Sequence, residues 1–317
     1  MAPPRSDPTR PARAGSAVGR ASPSGPAGPG STRSGANPAP LFDTRTPQEF
    51  DEIARVYDQT RTPLDPAAGA RLAETLRQRA GRRILEVGVG TGRIAAPLAR
   101  LGLDVTGLDA APRMLAQART KGLNRLVRGN AYTLPFRDGV FDGALFAHVL
   151  HTLERPEEAI GEALRVSRKG VFALLTERSR VGRGAHSPEG DELRRMLREE
   201  LAREGVVLPP RRDGGPSRRE RLLLRRFPPT ELVPLGARTV QLPAARRLAW
   251  VEARADRQTL RLPPDAVQRA VARVRARLPA ELKDRTVSFR HTYELVRWAP
   301  PGAAGDPRPE RPGPAAR

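Results

Sequence analysis

Apolar side chains recur at helical spacing over the stretch that begins near Thr46. Phe50, Ile53, Ala54 and Tyr57 share one face, and Thr46-Pro-Gln-Glu ahead of them supplies a Thr cap, Pro at the first helical position and Glu at the third. Ala68, Leu72 and Leu76 form a second stripe, which predicts a helix from about Asp65 to Ala80. From Arg82 the period changes. Ile84-Leu85-Glu86-Val87 reads as a short apolar strand, 93–101 as a helix, 103–108 as a strand and 112–121 as a helix. Leu126-Val127-Arg128, 141–146 and 171–176 read as further strands, and 156–166 as the helix between the last two. Apolar strands alternating with helices of this length predict an α/β fold with a parallel sheet covered on both faces.

The pattern loosens after Thr176. Residues 188–204, 244–256 and 264–278 read as helices and Thr239-Val240-Gln241-Leu242 as a strand, while Val287–Trp298 alternates well enough for a long edge strand. Residues 205–226 hold seven arginines and Pro-Pro and Gly-Gly breaks. They are expected to form a loop or mobile insert, part of which packs through Leu222, Leu223 and Leu224 as a lid. Residues 1–45 and 300–317 are rich in Pro, Gly and Arg and poor in large apolar side chains, so both are expected to be disordered tails.

The chemistry concentrates at Glu86-Val87-Gly88-Val89-Gly90-Thr91-Gly92. Glycines at alternate positions between a strand and a helix let the backbone turn sharply and approach a ligand, and the helix N-terminus behind them offers free N–H groups. Asp109 ends the next strand, 19 residues beyond Gly90, where an acid accepts hydrogen bonds from both hydroxyls of a ribose. The dinucleotide pattern spaces its last glycine one residue farther. The shorter spacing here, with an acid two residues before the first glycine, suits a cationic ligand better than a pyrophosphate.

Ile84–Leu98 resembles the first motif of the class I S-adenosylmethionine-dependent methyltransferases, and Leu108-Asp109-Ala110 with Pro112-Arg113-Met114-Leu115 resembles the second. Gly129-Asn130-Ala131 and the run Leu134–Asp142 are similar to the third and to the segment that follows it in the small-molecule branch, which includes the quinone-biosynthesis methyltransferases. The resemblance implies a Rossmann-like, doubly wound, mostly parallel seven-stranded sheet with helices on both faces and a helical insert after strand 5. It would span 46–299, with 177–285 holding the substrate-side insert. It further implies S-adenosyl-L-methionine as cofactor. Gly88, Gly90 and Gly92 would then line the methionine moiety, Asp109 would hold the ribose, and Ala110, Met114, Asn130 and Ala131 would meet the adenine. Glu86 is expected to offset positive charge on the amino group or the sulfonium, or else to cap turn amides. Tyr57 is expected at the methyl-transfer site and Arg61 near the cofactor carboxylate, or both at an ordinary helix end. His148 and His151 fall where the branch carries a histidine-bearing motif. Each reads either as a general base or as a packing residue.

Composition changes this picture little. The formal charge is +21, but the basic residues are 53 Arg and only 3 Lys, a bias that resembles codon choice in a GC-rich genome. Thirty-one basic and eighteen acidic residues lie in 177–317, so the excess sits away from the motifs. The absence of cysteine excludes disulfides and thiolate chemistry. No stretch is long and apolar enough for a membrane span, and a cytoplasmic location is expected. The expected partner is a small-molecule methyl acceptor. An RNA methyltransferase using the basic C-terminal half, and a non-catalytic cofactor-binding module, stand as alternatives.

Overall fold

A computed structural model describes residues 46–180, 188–207, 215–243, 246–254, 259, 262–279 and 286–300. The tails expected at 1–45 and 300–317 therefore lie outside the described residues, Pro300 excepted. The first half follows the periodicity closely. Helix α1 (Pro47–Ile53) opens on Thr46, whose hydroxyl accepts from Glu49 N–H while the Glu49 carboxylate accepts from Thr46 N–H, a reciprocal cap. Helix α2 (Pro66–Arg79) is capped by Asp65, which accepts from Ala68 N–H.

Strand β1 (Arg83–Val87) lies at the centre of the sheet, between β2 (Asp104–Asp109) and β4 (Gly143–Ala147); β3 (Leu126–Arg128) flanks β2, and β5 (Val171–Arg180) flanks β4. These five strands are parallel. β5 then pairs antiparallel with β7 (Thr286–Trp298), and β7 with β6 (Glu231–Pro243). The sheet order is β3-β2-β1-β4-β5-β7-β6, a Rossmann-like α/β arrangement. β7 is therefore not the edge strand that its alternation suggests. β6 covers it along its whole length, and only four residues of β6 were legible because Pro234 and a bulge before Gly236 interrupt the pattern.

Alternate residues of the strands face opposite layers, as a period of two requires. Ile84, Leu145, Phe172 and Leu174 pack with α2, α3 (Ala95–Arg100) and α4 (Pro112–Thr120). Leu85, Val87, Ala144, Phe146 and Ala173 pack with Ala159, Ile160 and Ala163 of α5 (Pro156–Val166) and with Leu223 of α7 (Gly215–Arg226). A separate apolar layer joins α6 (Pro188–Arg203), α8 (Arg246–Glu252) and α9 (Pro264–Arg277) through Leu197, Leu201, Leu248 and Val271. The insert thus holds a helix where a loop was expected over 205–226. Half of the residues of α7 are charged, and the apolar positions that bury it and its end, Leu223, Leu224 and Phe227, are too few to set a period. Residues 208–214 lie outside the described residues.

Among the described residues no helix is long and apolar enough to cross a membrane. Leu145 is wholly buried on the central strand pair. Leu145→Ala is expected to lower stability by about 3 kcal/mol through lost burial and the cavity left behind, read from urea unfolding followed by circular dichroism.

Candidate active site

The turn after β1 is fastened to the end of β2. Gly88 and Val89 N–H both donate to the Leu108 carbonyl at 2.7 and 3.0 Å, and Gly90 N–H donates to the Asp109 carboxylate at 2.7 Å. The other Asp109 oxygen accepts from Ala111 N–H at 2.9 Å. Gly88, Gly90 and Gly92 all have positive φ, yet they serve different ends. A Cβ on Gly88 would stand 2.5 Å from Val149, and one on Gly92 2.6 Å from Leu123. A Cβ on Gly90 would meet nothing within 4 Å, because it would project into open space. That space is a cavity of about 320 Å³.

Glu86, Gly88, Gly90, Asp109, Ala110, Met114, Asn130, Ala131, Tyr57 and His148 all line this cavity. Gly92 does not, and its missing Cβ instead lets α4 and Leu123 pack close. Arg61 does not line it either, and its guanidinium lies 4.5 Å from the centre of the Tyr57 ring. His151 faces away from the cavity toward α7, with Nδ1 3.2 Å from Glu220 Oε1. Helix α3 starts only at Ala95 and is six residues long, so no helix end stands at the ligand space, and the turn's N–H groups at Gly88, Val89, Gly90 and Gly92 are engaged by Leu108, Asp109 and Val89. The Asn130 carbonyl oxygen accepts from Tyr132 N–H at 3.0 Å, a local turn that leaves the amide N–H₂ as its donor.

Three cavity residues went unread in the sequence. Arg93 is half-buried and lines the cavity; it donates to the Thr62 carbonyl at 3.2 Å. Phe50 of α1 and Tyr132 close two further sides, and the Tyr132 hydroxyl accepts from Glu154 and Arg155 N–H. Arg93 sits directly after the glycine motif, and its position there was the one available signal. The N-terminal segment is secured over the site by Asp58, which accepts from Thr91 Oγ1 at 2.6 Å and pairs with Lys121. Arg113 N–H also donates to Asp51 of α1 at 2.7 Å.

The electrostatics are those of a dry site. Burial pushes the Glu86 carboxyl up to about 8, against the pull of Arg93 and with a further push from Asp109. Glu86 Oε2 has no hydrogen-bond partner among the described residues. Burial also raises Asp109, although backbone N–H groups of Ala111, Gly90 and Ala110 act against it. Burial lowers Arg93, opposed chiefly by Tyr57. His148 is held well below the ordinary histidine range, first by burial and then by Arg93. Its φ is +59°, a left-handed conformation that is strained for a side chain of this kind. Among the described residues no cluster of His, Asp and Glu could hold a metal ion.

A family model described as "Methyltransferase domain" matches residues 85–175, the stretch from β1 to β5. Residues 85–175 are thus similar to a methyltransferase domain. The demethylmenaquinone methyltransferase of Renibacterium salmoninarum is 32% identical over 133 residues, covering 40% of this chain and 56% of that one. The enzyme of the same name from Thermus thermophilus is 36% identical over 139 residues, covering 40% and 63%. The chain thus spans less than two thirds of the length of these relatives. Among solved structures, the YcgJ protein of Bacillus subtilis is 17% identical, covers 73% of this chain and 98% of that one, and has a TM-score of 0.42.

The raised carboxyl has a measurable consequence. An acid that titrates near 4.5 when unfolded and near 8 when folded binds more protons in the native state. Stability of the ligand-free protein should therefore fall as pH rises from about 4.5 to about 8. Glu86→Gln is expected to remove this loss. Its Tm by scanning calorimetry should exceed that of the parent at pH 8, and the difference should shrink toward pH 5.

Proposed function

We propose that the protein moves the sulfonium methyl group of S-adenosyl-L-methionine to a small-molecule acceptor. The observation that carries this is the composition of the cavity. It holds a buried carboxyl with one unpartnered oxygen, Glu86, four residues before the open glycine backbone at Gly90, with Asp109 at the adjoining strand end.

These residues fit the cofactor. Each Asp109 oxygen keeps a lone pair beyond the backbone N–H it already accepts, enough for two ribose hydroxyls. Glu86 faces the ammonium or the sulfonium, and an unpaired buried carboxylate gains most from a cation. Arg93 takes the position at the cofactor carboxylate that the sequence suggested for Arg61. Ala110, Met114 and the Asn130 amide bound the adenine. When bound, the cofactor supplies an electrophilic methyl group and a neutral thioether leaving group.

The chain's own residues then orient and exclude water, which accounts for most of what such a displacement needs. Phe50 and Tyr57 cover the site from the N-terminal segment, and Val149 and Leu153 close it from the other side. Burial keeps His148 in the neutral form that a general base needs, and it faces the acceptor as a weak base whose own protonation the same burial opposes. The likeness to demethylmenaquinone methyltransferases favours an aromatic, quinone-derived acceptor, and the apolar walls of Phe50, Tyr57, Val149 and Leu153 suit one.

Titration calorimetry with S-adenosyl-L-methionine tests the core of this. Asp109→Ala removes two charge-assisted hydrogen bonds, each worth about 1.5–3 kcal/mol, so affinity should fall by at least tenfold. Undiminished affinity would sink the assignment. His148→Ala should leave affinity within a few-fold and lower kcat by about a hundredfold. The parent's rate should hold steady as pH is lowered from 8 to 6, because the base is already deprotonated there.

A further inference from the structure

Among the described residues none of α7 lines the cavity, yet the helix grips the segment that does. Arg219 Nη1 donates to the His151 carbonyl at 2.5 Å, and its Nη2 donates to the Leu153 carbonyl. The neighbouring residue, Glu220, is buried and lies 3.2 Å from His151 Nδ1. Leu223 packs in the same apolar layer as Leu150. At the far end of the helix the Trp298 indole N–H donates to the Phe227 carbonyl at 3.1 Å, and the two rings stack with centroids 6.0 Å apart. α7 is therefore tied at one end to the segment after β4 and at the other to β7.

The gripped segment matters because of its neighbours. Its residues 148, 149 and 152–154 all line the cavity, and Val149 lies directly over Gly88, where even a Cβ could not fit. It starts at His148, whose left-handed backbone persists only if its surroundings hold it. A guanidinium placed on two carbonyls provides that hold with fixed geometry. Arg219 does not reach the cavity, so any effect it has on chemistry passes through the wall.

We propose that Arg219 is a positioning residue, by which α7 fixes the 149–153 wall over the glycine turn and sets how an acceptor meets the transferable methyl group. This rests on the methyltransferase reading of the cavity. Arg219 of the basic insert is then used on the wall of the site.

Hydrogen exchange by mass spectrometry on the full chain, without ligand, is the first test. In Arg219→Ala, peptides covering 149–154 should exchange at least about tenfold faster, a loss of roughly 1.4 kcal/mol of local stability. Peptides covering β1 and β2 should be unchanged. If Arg219→Ala does not fold, Arg219→Lys, which reaches only one carbonyl, should show a smaller increase confined to the same peptides. The second test is methyl transfer to a short-chain demethylmenaquinone, with the acceptor presented reduced. Arg219→Ala should lower kcat about tenfold with the cofactor KM within about threefold, and low-millimolar guanidinium should restore part of the rate. Unchanged exchange at 149–154, or a kcat equal to the parent's, overturns the proposal. Faster exchange in a protein whose parent transfers no methyl group would uphold the clasp and count against the acceptor class instead.

Discussion

The Asp109 carboxylate, accepting from Gly90 and Ala111 N–H, is the joint on which the site depends. It closes the β1 turn onto the end of β2 and does so with a charge that burial disfavours. Backbone donors recover only part of that cost, and ribose hydroxyls would recover more. The same joint makes Gly90 the single position of the turn where the backbone faces open space. Fold and binding chemistry thus share one set of hydrogen bonds. A change that loosens the turn must also cost ligand affinity.

The cavity is electrostatically unfinished. Glu86 brings a buried acid, Asp109 a half-buried one, Arg93 a half-buried cation, and His148 a ring that desolvation keeps neutral. A ligand carrying an ammonium, a sulfonium and a carboxylate would complete it, pairing Glu86 and Arg93 at once. In the ligand-free protein Glu86 avoids the penalty by holding its proton near neutrality. Binding of a cation would favour proton release. The buried acid that costs stability without a ligand is the one that, under the proposed function, would favour a cationic ligand.

The walls come from segments distant in sequence, each with its own anchor. α1 is tied to α4 by Asp51 and Arg113, the loop after it by Asp58 to Thr91 and Lys121, and the 148–154 segment by α7. The helical layer of α6, α8 and α9 has its own apolar contacts and a network of arginines around Glu200 and Glu204. Arg269 and Arg273 hold the Glu204 carboxyl down to about 2. Much of the basic character of the C-terminal half is thus used within the protein.

The sequence by itself determined the parallel half of the sheet. Hydrophobic period and glycine spacing are local quantities, and Ile84–Val87, Gly88–Gly92 and Asp109 carry them within 26 residues. It also determined the α1 cap, since Thr46 and Glu49 are three residues apart. Only the tertiary structure decided which side chains reach the cavity. Arg61 and Arg93, or His148 and His151, look alike in a string, and their separation depends on backbone direction: His148 at positive φ turns inward, while His151, one 3₁₀ turn on, points to Glu220. The place of β7 inside the sheet, and of α7 behind the cavity wall, were likewise fixed by contacts between segments distant in the chain. Such contacts leave no period in the chain, because the partner that rewards them lies elsewhere in the sequence.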